Sequence, residues 1–293
     1  MPDKFKVNIA GITFLVQNMA ETPELGIPET HEKFVVTKDD LHPDVTLHSY
    51  YSEPPVIEDK PVIFDSGASW CLYGDNGTRI FRFCSPVLNQ KSHRVMILSA
   101  DYRSGDLYVM PWITWNDGRY YPFDYPIDEV LMINLLASGL GVIIHSCGLI
   151  NNEKGILFVG TSGAGKTTTA NLWKNIANTT ILSDDRMILR IHQNKVWMYG
   201  TPWHGTARLA SPQGVPVDRI YFLKKYESNY VERKEPAAVV KQLFVACFPT
   251  FWNPTGMTNT LRQLHEVADS VPSYDFGFTP DNFAVNFLRT QLE

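Results

Sequence analysis

Residues 160–167 read Gly-Thr-Ser-Gly-Ala-Gly-Lys-Thr, with the apolar run Ile156 to Val159 before them and the helix-like stretch Thr168 to Ile176 after. A Gly-x-x-x-x-Gly-Lys-Thr pattern set between a strand and a helix is the signature of a phosphate-binding loop. Its glycines let the backbone bend until several N–H groups face one anion. The N-terminus of the following helix adds a partial positive charge at the same spot. The expected cradle for ATP is Gly160, Thr161, Ser162, Gly163, Ala164, Gly165, Lys166, Thr167 and Thr168. Lys166 is expected to reach the β- and γ-phosphates and the Thr167 hydroxyl to hold Mg²⁺.

Working outward, Val142 to Ile150 and Gly155 to Val159 are apolar runs joined by Asn151-Asn152-Glu153-Lys154. They predict paired strands that deliver the chain to the loop. Downstream, the pattern predicts strands at Thr180 to Leu182, Met187 to Ile191, Lys195 to Tyr199, Arg219 to Leu223 and Ser273 to Phe278. Helices are expected near Ala237 to Cys247, Asn259 to Ser270 and from Asp281. Upstream, from Phe5 to about Tyr125, short alternating or aromatic runs separated by turn formers predict a β-rich domain over 1–125. Asn116-Asp117-Gly118 reads there as a tight hairpin between Trp115 and Tyr120. A second domain, 126–293, opens with a helix from Pro126 to about Ser138 that Gly139 stops.

At 293 residues and 44% hydrophobic content, the chain can bury one large core or two modest ones. A net charge of −5 argues against a general electrostatic grip on nucleic acid or on an anionic membrane. Cys71, Cys84, Cys147 and Cys247 form no CxxC pair, which fits reduced thiols in a cytoplasmic protein and offers no metal-finger spacing. The N-terminus lacks the apolar core of a signal peptide, and the apolar stretch Leu131 to Ile150 is interrupted by polar residues and glycine. The expectation is a soluble protein.

A phosphate loop positions a nucleotide, but phosphoryl transfer also needs carboxylates for Mg²⁺ and a base near the attacking oxygen. Asp184 and Asp185 end an apolar strand about twenty residues after the loop, which in an α/β sheet places them at the edge where phosphates bind. Either one holds metal while its neighbour faces the acceptor, or the pair caps a turn. Considered alone, His145, inside the run Val142 to Ile150, reads as a buried core group.

The order His145, then GTSGAGKT, then Leu-Ser-Asp-Asp at 182–185 resembles the C-terminal domain of bacterial HPr kinase/phosphorylase over about residues 140–290. The resemblance implies an α/β fold: a phosphoenolpyruvate carboxykinase-like P-loop domain with a mixed β-sheet, here preceded by the β-rich N-terminal domain. It also implies that Asp184 and His145 form an acid/base pair on the acceptor hydroxyl, that Lys166 binds phosphate, and that Thr167 and Asp185 bind Mg²⁺. Homo-oligomeric assembly is a property of that family.

The chain departs from the family in reading Lys166-Thr167-Thr168 where Lys-Ser-Glu is usual, and in carrying GTPWHGTARLASP, Gly200 to Pro212, where a Glu-Ile-Arg-Gly segment is usual. Within that segment Arg208 is either a clamp for the transferred phosphate or a plain surface arginine, and His204 stands beside it; Arg186 is a weaker candidate for the clamp. Cys247 to Met257, CFPTFWNPTGM, is either a lip at the acceptor site or a packed connection. The reading is an ATP- and Mg²⁺-dependent kinase acting on a hydroxyl of a protein, peptide or small metabolite. A lyase of the phosphoenolpyruvate carboxykinase type and a nucleotide-binding regulatory module are the alternatives.

Overall fold

In the computed structural model, which describes residues 3–20, 23–37, 41–57, 59–75, 77–85 and 91–292, the chain divides into two units, Met1–Leu135 and Leu136–Glu293. In the first, the alternating run at the N-terminus folds back on itself: β1 (Lys4–Ile9) pairs antiparallel with β2 (Ile12–Asn18). Ala10 and Gly11, at φ 53° and 78°, close the hairpin. After α1 (Glu29–Glu32) come β3 (Val45–Tyr51), β4 (Val62–Asp65), β5 (Trp70–Asp75), β6 (Thr78–Ser85), β7 (Lys91–Leu98) and β8 (Ser104–Val109). The eight strands form one mixed sheet in the order β1-β2-β3-β8-β7-β6-β5-β4. The turn at Asn116 to Gly118 forms, with Gly118 N donating to Trp115 O at 3.0 Å. Strands do not flank it, and Tyr120 makes only an isolated bridge to Leu25. The helix expected from Pro126 is α2 (Ile127–Leu135), followed by a π-helical turn that Gly139 ends at φ 102°.

The second unit contains β9 (Val142–Asn151), β10 (Lys154–Val159), α3 (Lys166–Trp173), β11 (Thr179–Ser183), β12 (Arg186–His192), β13 (Lys195–Tyr199), β14 (Gly214–Lys225) and β15 (Tyr230–Arg233). It continues with α4 (Pro236–Ala246), α5 (Pro254–Ser270), β16 (Ser273–Phe278) and α6 (Asn282–Leu292). The second mixed sheet runs β10-β9-β12-β13-β14-β16-β15, with β11 on β9. The first half of β9 pairs with β12 and its second half with β10. Because β10 also pairs in parallel with β14, strands β10, β9, β12, β13 and β14 close a ring. The β9–β10 and β12–β13 turns have paired positive φ values, 47° and 67° at Asn152-Glu153 and 50° and 60° at Gln193-Asn194. That geometry matches the right-handed twist of the strands, and asparagine tolerates it.

Alternate residues of β10 and β14 feed two cores. Leu157, Val159, Ile220 and Phe222 pack toward Val239 and Leu243 of α4 and Leu264 and Val267 of α5. Phe158, Tyr221 and Phe276 pack toward Ala170 and Trp173 of α3 and Val285 and Leu288 of α6. Burial on both faces is why these strands read as continuous apolar runs, and each large side chain so buried contributes about 1.5–3 kcal/mol. The register then fixes the geography of the site. Val159, where β10 ends, lies opposite Ser146, and His145 lies opposite Arg186. No helix of the described residues is long and apolar enough to cross a membrane.

Candidate functional site

Residues 160–165 turn between β10 and α3, where the flanking runs place the candidate phosphate loop. Gly163 sits at φ 79° and Gly165, the residue capping α3, at φ 111°. A Cβ on Gly165 would come within 2.8 Å of Phe278 Cζ, so glycine is required there both for its dihedral and for space. Lys166 is buried, and its Nζ donates to the carbonyls of Gly160 and Thr161 at 2.8 and 3.1 Å. The ammonium thus rests on the first residues of the loop. Burial lowers its pKa below the ordinary lysine value, and the negative charge of Asp185 offsets part of that. Ala164 N donates to Thr161 O at 3.1 Å, Thr169 Oγ1 closes onto Gly165 O at 2.9 Å, Ser162 and Thr168 are exposed, and Thr167 is half-buried.

His145 and Asp185 meet: His145 Nε2 lies 2.9 Å from Asp185 Oδ1. The other carboxylate oxygen of Asp185 accepts from Arg186. Burial alone would raise the Asp185 carboxyl. The His145 hydrogen bond and the charges of Arg186, His145 and Lys166 outweigh it and hold the pKa below the ordinary carboxylate value. Backbone bonds lock the turn, with Ser146 N donating to Asp185 O at 2.9 Å and the Ser183 hydroxyl accepting from the N–H groups of Asp185 and Arg186. Arg186 lies over the ring of Phe248 at 5.3 Å, and that ring is 6.5 Å from the His145 ring.

The expected pairing of Asp184 with His145 is not the one the structure has. Asp184 is fully buried, and its carboxylate accepts backbone N–H groups from Gly205, Ala207 and Leu209 at 2.9, 3.0 and 3.4 Å. Adjacent residues at a strand end point opposite ways. Asp184 therefore turns into the Gly200 to Pro212 segment while Asp185 turns toward β9. Gly205 is needed for the close approach, since a Cβ there would meet Asp184 Oδ2 at 2.7 Å. The segment is further held by Ser211 N on Leu182 O at 2.9 Å and by Thr201 Oγ1 on Arg186 O at 2.7 Å. His204 Nδ1 donates to Gly205 O at 2.8 Å. Arg208 is exposed on this loop with φ 54°, a left-handed conformation uncommon for an arginine and held by the anchored residues on both sides of it.

The structure therefore brings together the loop, Lys166, His145 and Asp185, and ties Arg208 to them through Asp184. Sequence reasoning missed Asp184 as an anchor and Phe248 as the ring beside His145 and Arg186. The run of glycine and small residues from Gly200 signalled a loop, not what holds it. Among the described residues no group of three or more His, Cys, Asp or Glu side chains can hold a metal. Thr167 and Asp185 carry oxygen donors of the kind Mg²⁺ takes, one hydroxyl and one carboxylate.

No family model and no curated protein matches the chain. Among solved structures, the chain is similar to the Hpr(Ser) kinase/phosphatase from Coxiella burnetii at 12% identity, with 51% of this chain and 92% of that one covered and a TM-score of 0.31.

Proposed function

We propose that this chain is an ATP- and Mg²⁺-dependent phosphotransferase that moves a γ-phosphoryl group to a hydroxyl. The observation that carries the reading is the His145–Asp185 pair at the sheet edge where the phosphate loop begins. A module that only binds nucleotide needs the loop but no oriented histidine beside it. Asp185 can only accept when ionised, so it fixes the His145 proton on Nε2 and leaves Nδ1 as the base. The role of base, expected of Asp184, passes to His145, because the Asp184 carboxylate is enclosed by backbone amides.

In the proposed reaction Lys166 and the first turn of α3 hold the β- and γ-phosphates. The acceptor oxygen bonds to the γ-phosphorus as the bond from that phosphorus to the bridging oxygen of ADP breaks, and the hydroxyl proton passes to His145. Arg208 offers its planar fork to the transferred group. Thr167 and Asp185 would hold Mg²⁺, which would supply neutralisation of the phosphate charge.

The test is incubation with γ-labelled ATP, Mg²⁺ and pools of proteins, peptides and hydroxyl metabolites, with Lys166→Ala and His145→Ala alongside. Label on an acceptor with the wild type only is the expected result. Bound nucleotide without label in any pool would replace this reading with a regulatory nucleotide-binding module.

A further inference from the structure

We infer that the acceptor is a peptide whose hydroxyl residue stands beside a large apolar side chain, and that this side chain enters a cavity of about 300 Å³ at the start of the phosphate loop. The inference rests on the phosphotransferase reading above and names its substrate class.

The cavity shares Gly160 and Thr161 with the loop, and these are the two residues whose carbonyls receive Lys166 Nζ. In a loop of this type the lysine serves the β- and γ-phosphates. The cavity is therefore at the γ end, where the acceptor has to arrive. Its far wall is the last turn of α4, at Val245 and Ala246. From there the chain runs directly to the base: Cys247 bridges Ile144, and Phe248 N donates to Ile143 O at 3.2 Å while its ring neighbours His145. Phe248 lies three positions after Val245, at most about 11 Å of chain. That is a span neighbouring residues of one bound peptide can cover.

The walls dictate the occupant. Val159, Phe222 and Leu223 line the floor, and Val245 is 68% exposed on the rim. Phe251, on the same connection between α4 and α5, is 64% exposed. Large apolar groups left in water beside a reacting centre suit an apolar ligand. A dry cavity of about 150 Å³ already admits a benzene ring, so this one admits a leucine or phenylalanine side chain. Lys224 at the cavity is paired with Asp275 at 2.7 Å, so the exposed Lys241 is the cation that complements an acidic residue of the peptide.

A library of serine peptides randomised at the two positions on each side, with γ-labelled ATP and Mg²⁺, tests this on wild type, Val245→Asp and Ala246→Phe. The expected result is transfer favouring leucine, methionine or phenylalanine beside the serine by about tenfold or more over glycine or aspartate. Val245→Asp, at an exposed position, and Ala246→Phe, which fills the cavity, then raise KM for those peptides about tenfold while the Kd for Mg·ATP stays within about twofold. Transfer indifferent to the flanking residues, or confined to proteins or metabolites outside the library, overturns the inference and leaves the phosphotransferase standing. Weakened Mg·ATP binding with unchanged peptide KM overturns it too, because the cavity then holds the nucleoside. Absence of transfer to any acceptor in any pool removes both.

Discussion

Asp184 positions Arg208 through the backbone: the carboxylate accepts the N–H groups of Ala207 and Leu209, the residues on either side of the arginine, and that of Gly205. A buried carboxylate that accepts several amides is worth far more to one loop than a surface ion pair is. Asp184→Ala is expected to cost about 3 kcal/mol of stability. It is also expected to speed amide exchange at 205, 207 and 209 before the rest of the unit. Unchanged exchange at those three amides removes the anchoring role. In the labelled-ATP assay, Asp184→Asn and Arg208→Ala should be non-additive, since both act through one loop.

The phosphate loop makes a second prediction. Gly165→Ala forces a side chain into φ 111° and against Phe278. A loss of about 2 kcal/mol in thermal unfolding is expected, together with weakened Mg·ATP binding in a calorimetric titration. A variant that binds Mg·ATP as the wild type does shows that the loop conformation described here is not the binding one.

Acid should act through Asp185. Its folded-state pKa lies below the ordinary value of 3.8, so the unfolded chain binds its proton first as pH falls. The stabilisation is complete above the ordinary value and disappears as pH drops through the lower folded value. Denaturation midpoints between about pH 5 and pH 2 should therefore fall less steeply for Asp185→Asn than for the wild type. Parallel curves for the two proteins would contradict the assignment.

Alkali should act through Lys166. Burial lowers its pKa from the ordinary 10.5, and Asp185 holds it part of the way back. In the nucleotide-free protein, Lys166 followed by NMR should lose its proton below the ordinary lysine range. Asp185→Asn should move that titration to still lower pH. A shift to higher pH would show that the two charges do not interact.

Most of the second unit was legible because its strands carry apolar runs bounded by turn residues, and the two asparagine-bearing hairpins, at Asn152 and Asn194, sit where those residues predict. The strand Ser273–Phe278 has the bounds its alternation implies. β15, four residues at the edge with Glu232 and Arg233 exposed, carries no such signal. In the first unit, Phe5 to Gln17 reads as one run because Ala10 and Gly11 are not polar, yet the backbone reverses there. The site was legible as far as chemistry is encoded in residue type: a lysine, a histidine and two aspartates near a glycine loop. Which aspartate faces the histidine depends on side-chain direction at the end of β11 and on the loop at 205–209 that captures Asp184. Neither is written in local spacing.

The ring of five strands sets a limit on how the site can move. His145 and Val159, the residue just before the candidate phosphate loop, belong to neighbouring strands, their separation set by the rung that pairs Ser146 with Val159. A hinge cannot bring them closer or pull them apart without breaking that ladder. On the proposed phosphotransferase reading, turnover is governed from the margins of the site, by the arginine-bearing loop and by the end of α4. On that reading base and phosphate cradle behave as one solid part, machined to a fixed gap before any ligand arrives.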